Sequence, residues 1–164
     1  MLEIAIPTQH KDQINHKKHH PAAGLKLAAG CNKRKEKFMN KKAITSDKAL
    51  KPIGPFSTAV ECRGTVYVSG ITAIDPKTGK MIDGGVEEQT DMILSIMKGI
   101  MEDAGTSMNN VLKCTVFLDD VNDFSKVNEV YGRHFNQPYP ARICVQVAKI
   151  PMGALVEIDA IASK

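Results

Sequence analysis

The period of the hydrophobic pattern changes along the chain after residue 40, and each period predicts an element. Between Val86 and Gly105 the apolar positions recur every three or four residues, which predicts a helix with one buried face. Gly105 suits the left-handed residue that follows a last helical turn. Asp123 precedes a second stretch of the same period and predicts a helix that its side chain caps. The two apolar faces comprise Met92, Ile93, Ile96, Met97, Ile100, Met101 and Ala104 in the first helix, and Phe124, Val127, Val130, Tyr131 and Phe135 in the second.

Short runs rich in Val, Ile, Thr and Cys predict six strands around these helices. Arg63 and Gly64 separate the second strand from the third and suit a two-residue hairpin turn. The order is strand, hairpin, helix, strand, helix, two strands. This order predicts an α+β fold in which the two helices cover one face of a single mixed sheet. The predicted strands lie at 43–45, 58–62, 65–69, 111–118, within 139–151 and at 156–162.

The predicted strands are apolar on both alternating positions, as in 66–68 and 143–145. The second face of the sheet therefore also needs cover. Only two helices are available, so another subunit is the natural cover. This pattern predicts an oligomer.

Charge divides the chain near residue 40. Residues 1–40 hold eight Lys or Arg against three acids, whereas the remainder holds 14 basic and 15 acidic residues. We interpret 1–40 as a basic, mostly disordered arm and 41–164 as the folded domain. Whether the arm is a start-site artefact, a tag or a targeting segment stays open. The nearly neutral body argues against a large nucleic-acid footprint on the domain.

Several functional classes find no support in the motifs. The chain has no G-x-S-x-G, H-E-x-x-H or P-loop, and its four cysteines form no C-x-x-C pair. The arm's histidines are interpreted as part of a solvated tail, so no metal site is predicted. No window is apolar enough for a membrane span, and free thiols suit a reducing compartment. We therefore expect a cytoplasmic protein, or an organellar one if the arm is a targeting segment.

Two residues of the body with ionisable side chains bear on its function, Arg142 and His134. Arg142 lies near the start of an otherwise apolar strand, where an unpaired buried guanidinium would be costly. It must meet water, a surface acid or a ligand, and its planar fork suits a small carboxylate. His134 is the only histidine of the body and is interpreted as a core-edge residue. Ribonuclease chemistry with a histidine pair thus has no obvious residues here.

Ordered motifs run from about residue 43 to residue 163. They are Pro52-Ile53-Gly54-Pro55-Phe56, Val68-Ser69-Gly70, Asp75-Pro76-Lys77-Thr78-Gly79, Lys113-Cys114-Thr115-Val116-Phe117-Leu118, Asp123-Phe124-Ser125-Lys126-Val127-Asn128, Pro140-Ala141-Arg142, Val147-Ala148-Lys149-Ile150-Pro151 and Val156-Glu157-Ile158-Asp159-Ala160-Ile161-Ala162. In this order they resemble the signature of the reactive intermediate deaminase family, also called the YjgF-like or endoribonuclease L-PSP family. The resemblance implies a chorismate-mutase-like fold and a barrel-like homotrimer with clefts between subunits.

The resemblance also implies the site. Arg142 would bind the substrate's carboxylate and Glu157 would handle the hydrolytic water. Cys144 is interpreted as pocket wall, because no histidine nearby in sequence could activate it. Phe56 stands where the family often has tyrosine, which removes a hydroxyl, and Ile143 replaces a more polar residue. The implied pocket positions are Phe56, Ser69, Gly70, Asn128 and Cys144.

The sequence leaves open how Arg142 and Glu157 meet. If residues 151–153 formed the turn of a simple hairpin, the two side chains would not face each other. They would then meet through a twisted register or across a subunit boundary.

The implied activity is hydrolysis of reactive 2-imino or 2-enamino acids, such as 2-iminobutanoate and 2-iminopropanoate, to 2-keto acids and ammonia. No cofactor is implied. One alternative is an endoribonuclease or translation inhibitor acting on single-stranded RNA, which the basic arm would bind weakly. The other is a non-catalytic trimer that binds a small ligand, which would need Arg142 but not Glu157.

Overall fold

The computed structural model describes residues 40–164, so the predicted basic arm lies outside the described residues except for its last position. Within this part, six strands form one sheet and two helices of more than ten residues pack on it. The elements are β1 Lys42–Ile44, β2 Ala59–Cys62, β3 Thr65–Ile71, α1 Val86–Asp103, β4 Val111–Leu118, α2 Phe124–His134, β5 Ala141–Gln146 and β6 Val156–Ser163.

The strands lie in the order β1-β2-β3-β6-β4-β5. β4 and β5 run parallel, while the other neighbours run antiparallel, so the predicted mixed α+β sheet is confirmed. β4 lies between β5 and β6, and the last two strands therefore do not form a hairpin. A parallel partner for β5 requires a crossover connection, and α2 provides it.

The turn between β2 and β3 is the two-residue hairpin that the sequence predicts. Arg63 and Gly64 both have positive φ, at 53° and 76°. This is the backbone of a type I′ turn, whose twist matches that of the flanking strands.

The core lies between the helices and one face of the sheet. The predicted apolar face of α1 is buried, with Ile93, Met97 and Ile100 inaccessible to solvent. On β6 burial alternates strictly, and Val156, Ile158, Ala160 and Ala162 point toward the helices. Each large aliphatic side chain buried in this way contributes about 1.5–3 kcal/mol.

The helix ends agree with the sequence at α1 but not at α2. α1 begins at Val86 and ends at Asp103, with Gly105 beyond it at φ 74°. Asp123 precedes α2, but its side chain does not cap the helix: a carboxylate oxygen accepts from Lys126 Nζ at 2.8 Å. The prediction of a side-chain cap was wrong because a short 3-10 turn over 121–123 leads into α2, which places Asp123 in helical conformation already.

The sheet face turned away from the helices is here called the open face. Nothing in residues 40–164 covers the side chains of Ile143 and Val145 on it, which are 49% and 41% exposed. Neither helix of the described part combines the length and apolar character that a bilayer crossing demands. The open face comprises Tyr67, Thr115, Phe117, Ile143, Val145, Glu157 and Ile161.

Candidate active site

Arg142 is held on the helix side of β5. Its Nη2 donates a hydrogen bond of 2.6 Å to Oδ1 of Asn128 on α2. The guanidinium carbon lies 4.7 Å from the ring centre of Tyr131 and 5.5 Å from that of Phe124. No carboxylate of residues 40–164 forms an ion pair with Arg142, so pairing with a surface acid of this part is not realised.

A cavity of about 420 Å³ opens in front of this guanidinium. A guanidinium has five N–H donors, and the bond to Asn128 occupies one of them. The remaining donors can serve a planar acceptor with two oxygens, as a carboxylate is. The lining residues are Asn128, Tyr131, Gly132, Tyr139, Pro140 and Arg142.

Cys144 follows Arg142 by two residues and lies on the same side of β5. It packs at the edge of the core and does not line the cavity in front of Arg142. Burial raises the pKa of the Cys144 thiol, and the positive charge of Arg142 opposes this only partly. A thiol of raised pKa is a poor nucleophile at neutral pH, which argues against a nucleophilic role, while the predicted place of Cys144 in the pocket wall is not seen in either cavity of a single chain.

A second cavity, of about 440 Å³, lies where β3 ends and β6 begins. Four of the predicted site residues line it: Phe56, Ser69, Gly70 and Glu157. Its walls are otherwise mostly apolar, and Met152 and Ile53 stand at its rim. Apart from Cys144, which lines neither, the predicted pocket residues thus divide between two cavities of one chain.

Glu157 is the titratable group of this second cavity. It is half-buried, and burial raises the pKa of its carboxyl, with the Asp159 carboxylate adding to the effect. Asp159 lies two residues along β6 on the same face, and its Oδ1 accepts from the backbone N–H of Thr115 at 2.9 Å. A carboxyl with a raised pKa in a cleft is suited to acid–base work near neutral pH.

A bulge in β3 brings the backbone of Gly70 against Glu157. The register between β3 and β6 shifts between Val68 and Ile71, so that Ser69 and Gly70 together lie against one residue of β6, Asp159. A Cβ on Gly70 would overlap the Glu157 carboxylate, so only glycine leaves room for that carboxylate. Ser69 is tied to the loop before β2, because its hydroxyl donates to the Ser57 carbonyl at 2.8 Å.

Arg142 and Glu157 do not meet within one chain. Glu157 lies opposite Phe117, which lies opposite Val145, and all three point to the open face. Arg142 points to the other face, toward α2. The sheet separates the two side chains, so each chain carries two half-sites. We call them the arginine half-site, which is Asn128, Tyr131 and Arg142, and the glutamate half-site, which is Phe56, Ser69, Gly70 and Glu157.

Tyr131 belongs to the arginine half-site although the sequence did not single it out for the site, and Phe124 lies near Arg142 without lining either cavity. Tyr131 and Phe124 were assigned only to the apolar face of the second helix. Their spacing from Asn128, three residues after it and four before it, places all three on one helical face. That spacing was the signal for their common contact with Arg142.

The remaining polar groups of the body behave as structural ones. His134 Nε2 lies 2.8 Å from Oδ1 of Asp91 on α1, which confirms its interpretation as a core-edge residue. Within residues 40–164, no group of three or more His, Cys, Asp or Glu is placed to hold a metal ion.

The comparison with known proteins identifies the family of this chain. A family model described as Endoribonuclease L-PSP matches residues 46–164. A mouse protein named 2-iminobutanoate/2-iminopropanoate deaminase is 45% identical over 122 residues, which cover 74% of this chain and 90% of the mouse protein.

Two solved structures share the fold. A putative endoribonuclease from Thermotoga maritima superposes with a TM-score of 0.73 at 44% identity, covering 75% of this chain and 97% of that one. TdcF of E. coli with bound serine gives a TM-score of 0.70 at 38% identity, covering 75% and 98%. The fold, the ordered motifs and these similarities lead to one conclusion: the chain belongs to the Endoribonuclease L-PSP family, which is the family that its sequence motifs indicate.

Proposed function

We propose that this protein hydrolyses short 2-imino acids, and their 2-enamino tautomers, to 2-keto acids and ammonia. The observation that carries the proposal is the held guanidinium of Arg142, which keeps open donors in front of a cavity of small-molecule size. The glutamate half-site adds a half-buried carboxyl whose pKa is raised. The mouse relative bears the name of this activity, and E. coli TdcF was solved with serine, which carries a carboxylate.

The proposed active assembly is a homotrimer in which the arginine half-site of one copy meets the glutamate half-site of the next. Two observations support it. The open face carries large apolar side chains that nothing in residues 40–164 covers. The sheet also keeps Arg142 and Glu157 apart within a chain, so a shared cleft requires a second copy.

The reaction then assigns a role to each charged residue. Arg142 binds the substrate carboxylate through parallel hydrogen bonds and fixes the imine carbon beside it. Ionised Glu157 accepts a proton from water as the water oxygen bonds to the imine carbon and the C=N π electrons pass to nitrogen. Protons from Glu157 and from the new hydroxyl reach nitrogen, the C–N bond breaks, and ammonia and the 2-keto acid leave.

The RNA-cleaving alternative has less support in the described residues. The body holds one histidine, and it pairs with Asp91 rather than lining either half-site. The arm that would attract RNA lies outside the described residues. Any affinity that rests on it should collapse as salt rises, because phosphate contacts release counterions.

The test follows free imine decay after a pyridoxal-phosphate dehydratase releases 2-iminobutanoate. The parent protein should accelerate the decay, and Arg142→Ala should lower kcat/KM by about a hundredfold, which corresponds to about 2.7 kcal/mol of lost binding. Arg142→Lys should also have a low kcat/KM, because an ammonium group cannot form the two parallel hydrogen bonds of the planar guanidinium. Arg133→Ala is the matched control, since Arg133 is an exposed arginine of α2, the helix that carries Asn128. Near-parent turnover by Arg142→Ala would refute the proposal.

The same assays, with a shorter chain added, also test the endoribonuclease alternative. A chain that begins at Met39 should hydrolyse the imine like the full chain and should lose any RNA affinity. Specific, salt-resistant RNA cleavage by this shorter chain would establish the endoribonuclease instead. Ligand binding by the parent without any acceleration of imine decay would support the non-catalytic trimer.

A further inference from the structure

Tyr131 has a position that the proposed chemistry does not by itself explain. Its side chain is 5% exposed, and its ring faces the guanidinium of Arg142 at 4.7 Å. Its hydroxyl is buried and, among residues 40–164, has only the Cys114 thiol beside it, which is a weak hydrogen-bonding group. A thiol is a weak partner for a hydroxyl, so the specific polar contact of Tyr131 is the one that its ring face makes with Arg142.

The ring is fixed from behind. Phe135 packs on it with ring centres 4.4 Å apart and planes inclined by 37°. Phe135 is itself 5% exposed, so the pair belongs to the core. The guanidinium therefore rests on a ring that is packed in the core, while Asn128 accepts a 2.6 Å hydrogen bond from its Nη2.

A second ring offers an internal comparison. Phe124 also faces Arg142, but its ring centre is farther away, at 5.5 Å, and the residue is 41% exposed. The attraction between a cation and an aromatic face strengthens as the pair is desolvated and weakens with distance. Of the two rings, Tyr131 is therefore the one that can hold the guanidinium.

We infer that Tyr131 is a positioning residue for substrate binding: its buried ring sets the plane of the Arg142 guanidinium so that the open donors point into the cavity. The inference rests on the proposed function, because it concerns the same carboxylate grip. It assigns the contribution to the ring face and none to the hydroxyl.

The state of the phenol agrees with this assignment. Burial raises the pKa of Tyr131 far above its ordinary value, the Cys114 thiol beside it adds to the effect, and the charge of Arg142 opposes it only partly. The side chain stays neutral throughout the range in which the enzyme can be assayed. The contact is consequently a cation on an aromatic face, not an ion pair with a phenolate.

The experiment compares Tyr131→Phe, Tyr131→Leu and Tyr131→Met with Phe124→Leu as the matched control. For 2-iminobutanoate hydrolysis, Tyr131→Leu and Tyr131→Met should raise KM by about tenfold and leave kcat within about twofold. Tyr131→Phe keeps the ring and should retain the parent KM. Phe124→Leu should change KM by no more than about twofold. Thermal unfolding of each variant separates lost packing from lost positioning, and methionine fills the space of the ring if leucine does not fold.

A double-mutant cycle gives a second readout. If the ring acts through the guanidinium, the loss caused by Tyr131→Leu should shrink in an Arg142→Ala background, whereas a general packing defect should persist there. Affinity for 2-oxobutanoate, measured by titration calorimetry, supplies the cycle without relying on turnover.

The outcomes separate the two claims. Unchanged KM and 2-oxobutanoate affinity in Tyr131→Leu and Tyr131→Met, with an active parent, would overturn the inference and leave the proposed function standing. A KM increase in Tyr131→Phe equal to that of Tyr131→Leu would also overturn it, since the hydroxyl would then matter. A parent protein that binds 2-oxobutanoate through Arg142 but does not hydrolyse the imine would refute the proposed function. The inference about Tyr131 would then be decided by the double-mutant cycle on 2-oxobutanoate affinity.

Discussion

Two inactive variants should restore each other's activity when their chains are mixed. Arg142→Ala removes the arginine half-site but keeps the glutamate half-site, and Glu157→Gln does the reverse. Because the sheet separates the two half-sites, each proposed cleft draws them from different copies. A cleft between a Glu157→Gln chain and an Arg142→Ala chain, in the right order, is then complete.

The size of the recovery follows from random assortment. In an equal mixture, a cleft receives an intact Arg142 with probability about one half and an intact Glu157 with probability about one half, so about one quarter of the clefts are complete. The mixture should therefore reach about one quarter of the parent activity per chain. Subunits are exchanged in dilute denaturant, the denaturant is removed, and imine decay is compared before and after exchange.

A second mixture distinguishes shared clefts from sites within a chain. Parent chains are mixed equally with chains carrying both substitutions. Shared clefts predict about one quarter of the parent activity, whereas a site contained in one chain predicts about one half. Activity at one half in this mixture, together with no recovery in the first, would refute the division of the site between copies.

Three further outcomes concern the glutamate half-site. Gly70→Ala places a Cβ 2.8 Å from Cδ of Glu157 and should lower kcat by about a hundredfold, because the new methyl group displaces the carboxyl. Gly85→Ala is the control and should leave turnover unchanged, because the nearest atom to its new Cβ is 3.5 Å away. Equal turnover in both variants would contradict the role of the bulge. Burial raises the pKa of Glu157 above its ordinary value of 4.5, so stability is lost as the pH rises from 4.5 through the folded-state pKa, above which the loss is complete. Glu157→Gln should therefore raise the melting temperature at neutral pH, with the gain vanishing below 4.5, and a lower melting temperature at neutral pH would refute this. Asp159→Asn retains an oxygen that accepts from the Thr115 N–H but removes the negative charge beside Glu157, so the pKa of Glu157 should fall. The acid limb of the pH profile of kcat/KM should then move to lower pH. An acid limb that stays in place would show that Asp159 does not act on Glu157.

The elements of the fold were predictable because their signals are local. The helical period of α1 and the Arg63-Gly64 turn are properties of neighbouring residues, and both were confirmed. The position of β4 between β5 and β6 was not predictable in this way, because strand pairing depends on contacts far apart in the chain. The failed cap at Asp123 has a local cause that was overlooked, namely the 3-10 turn that precedes α2.

The sequence could propose candidate residues for the site but not their arrangement. Family motifs indicated Arg142 and Glu157, and the structure places each in its own cavity. Alternation along one strand shows which residues share a face, but it does not relate the faces of two strands that are separated by a third. Tyr131 was missed because an aromatic residue on an apolar helical face is ordinarily explained by packing, and its second neighbour, Arg142, comes from a distant strand.

The edge strand β5 has a consequence for the life of the protein in the cell. Within the described residues, one edge of β5 pairs with no strand, and the side chains of Ile143 and Val145 are exposed to solvent on the open face. Unpaired strand edges beside apolar side chains are templates for aggregation and are recognised by chaperones and proteases. If the chain assembles into the proposed homotrimer, it is therefore most vulnerable after it has folded and before it has assembled. The proposed trimer then predicts that the level of this protein is governed by the speed of subunit encounter after synthesis, and that substitutions that weaken assembly reduce its abundance long before they reduce the activity of the molecules that remain.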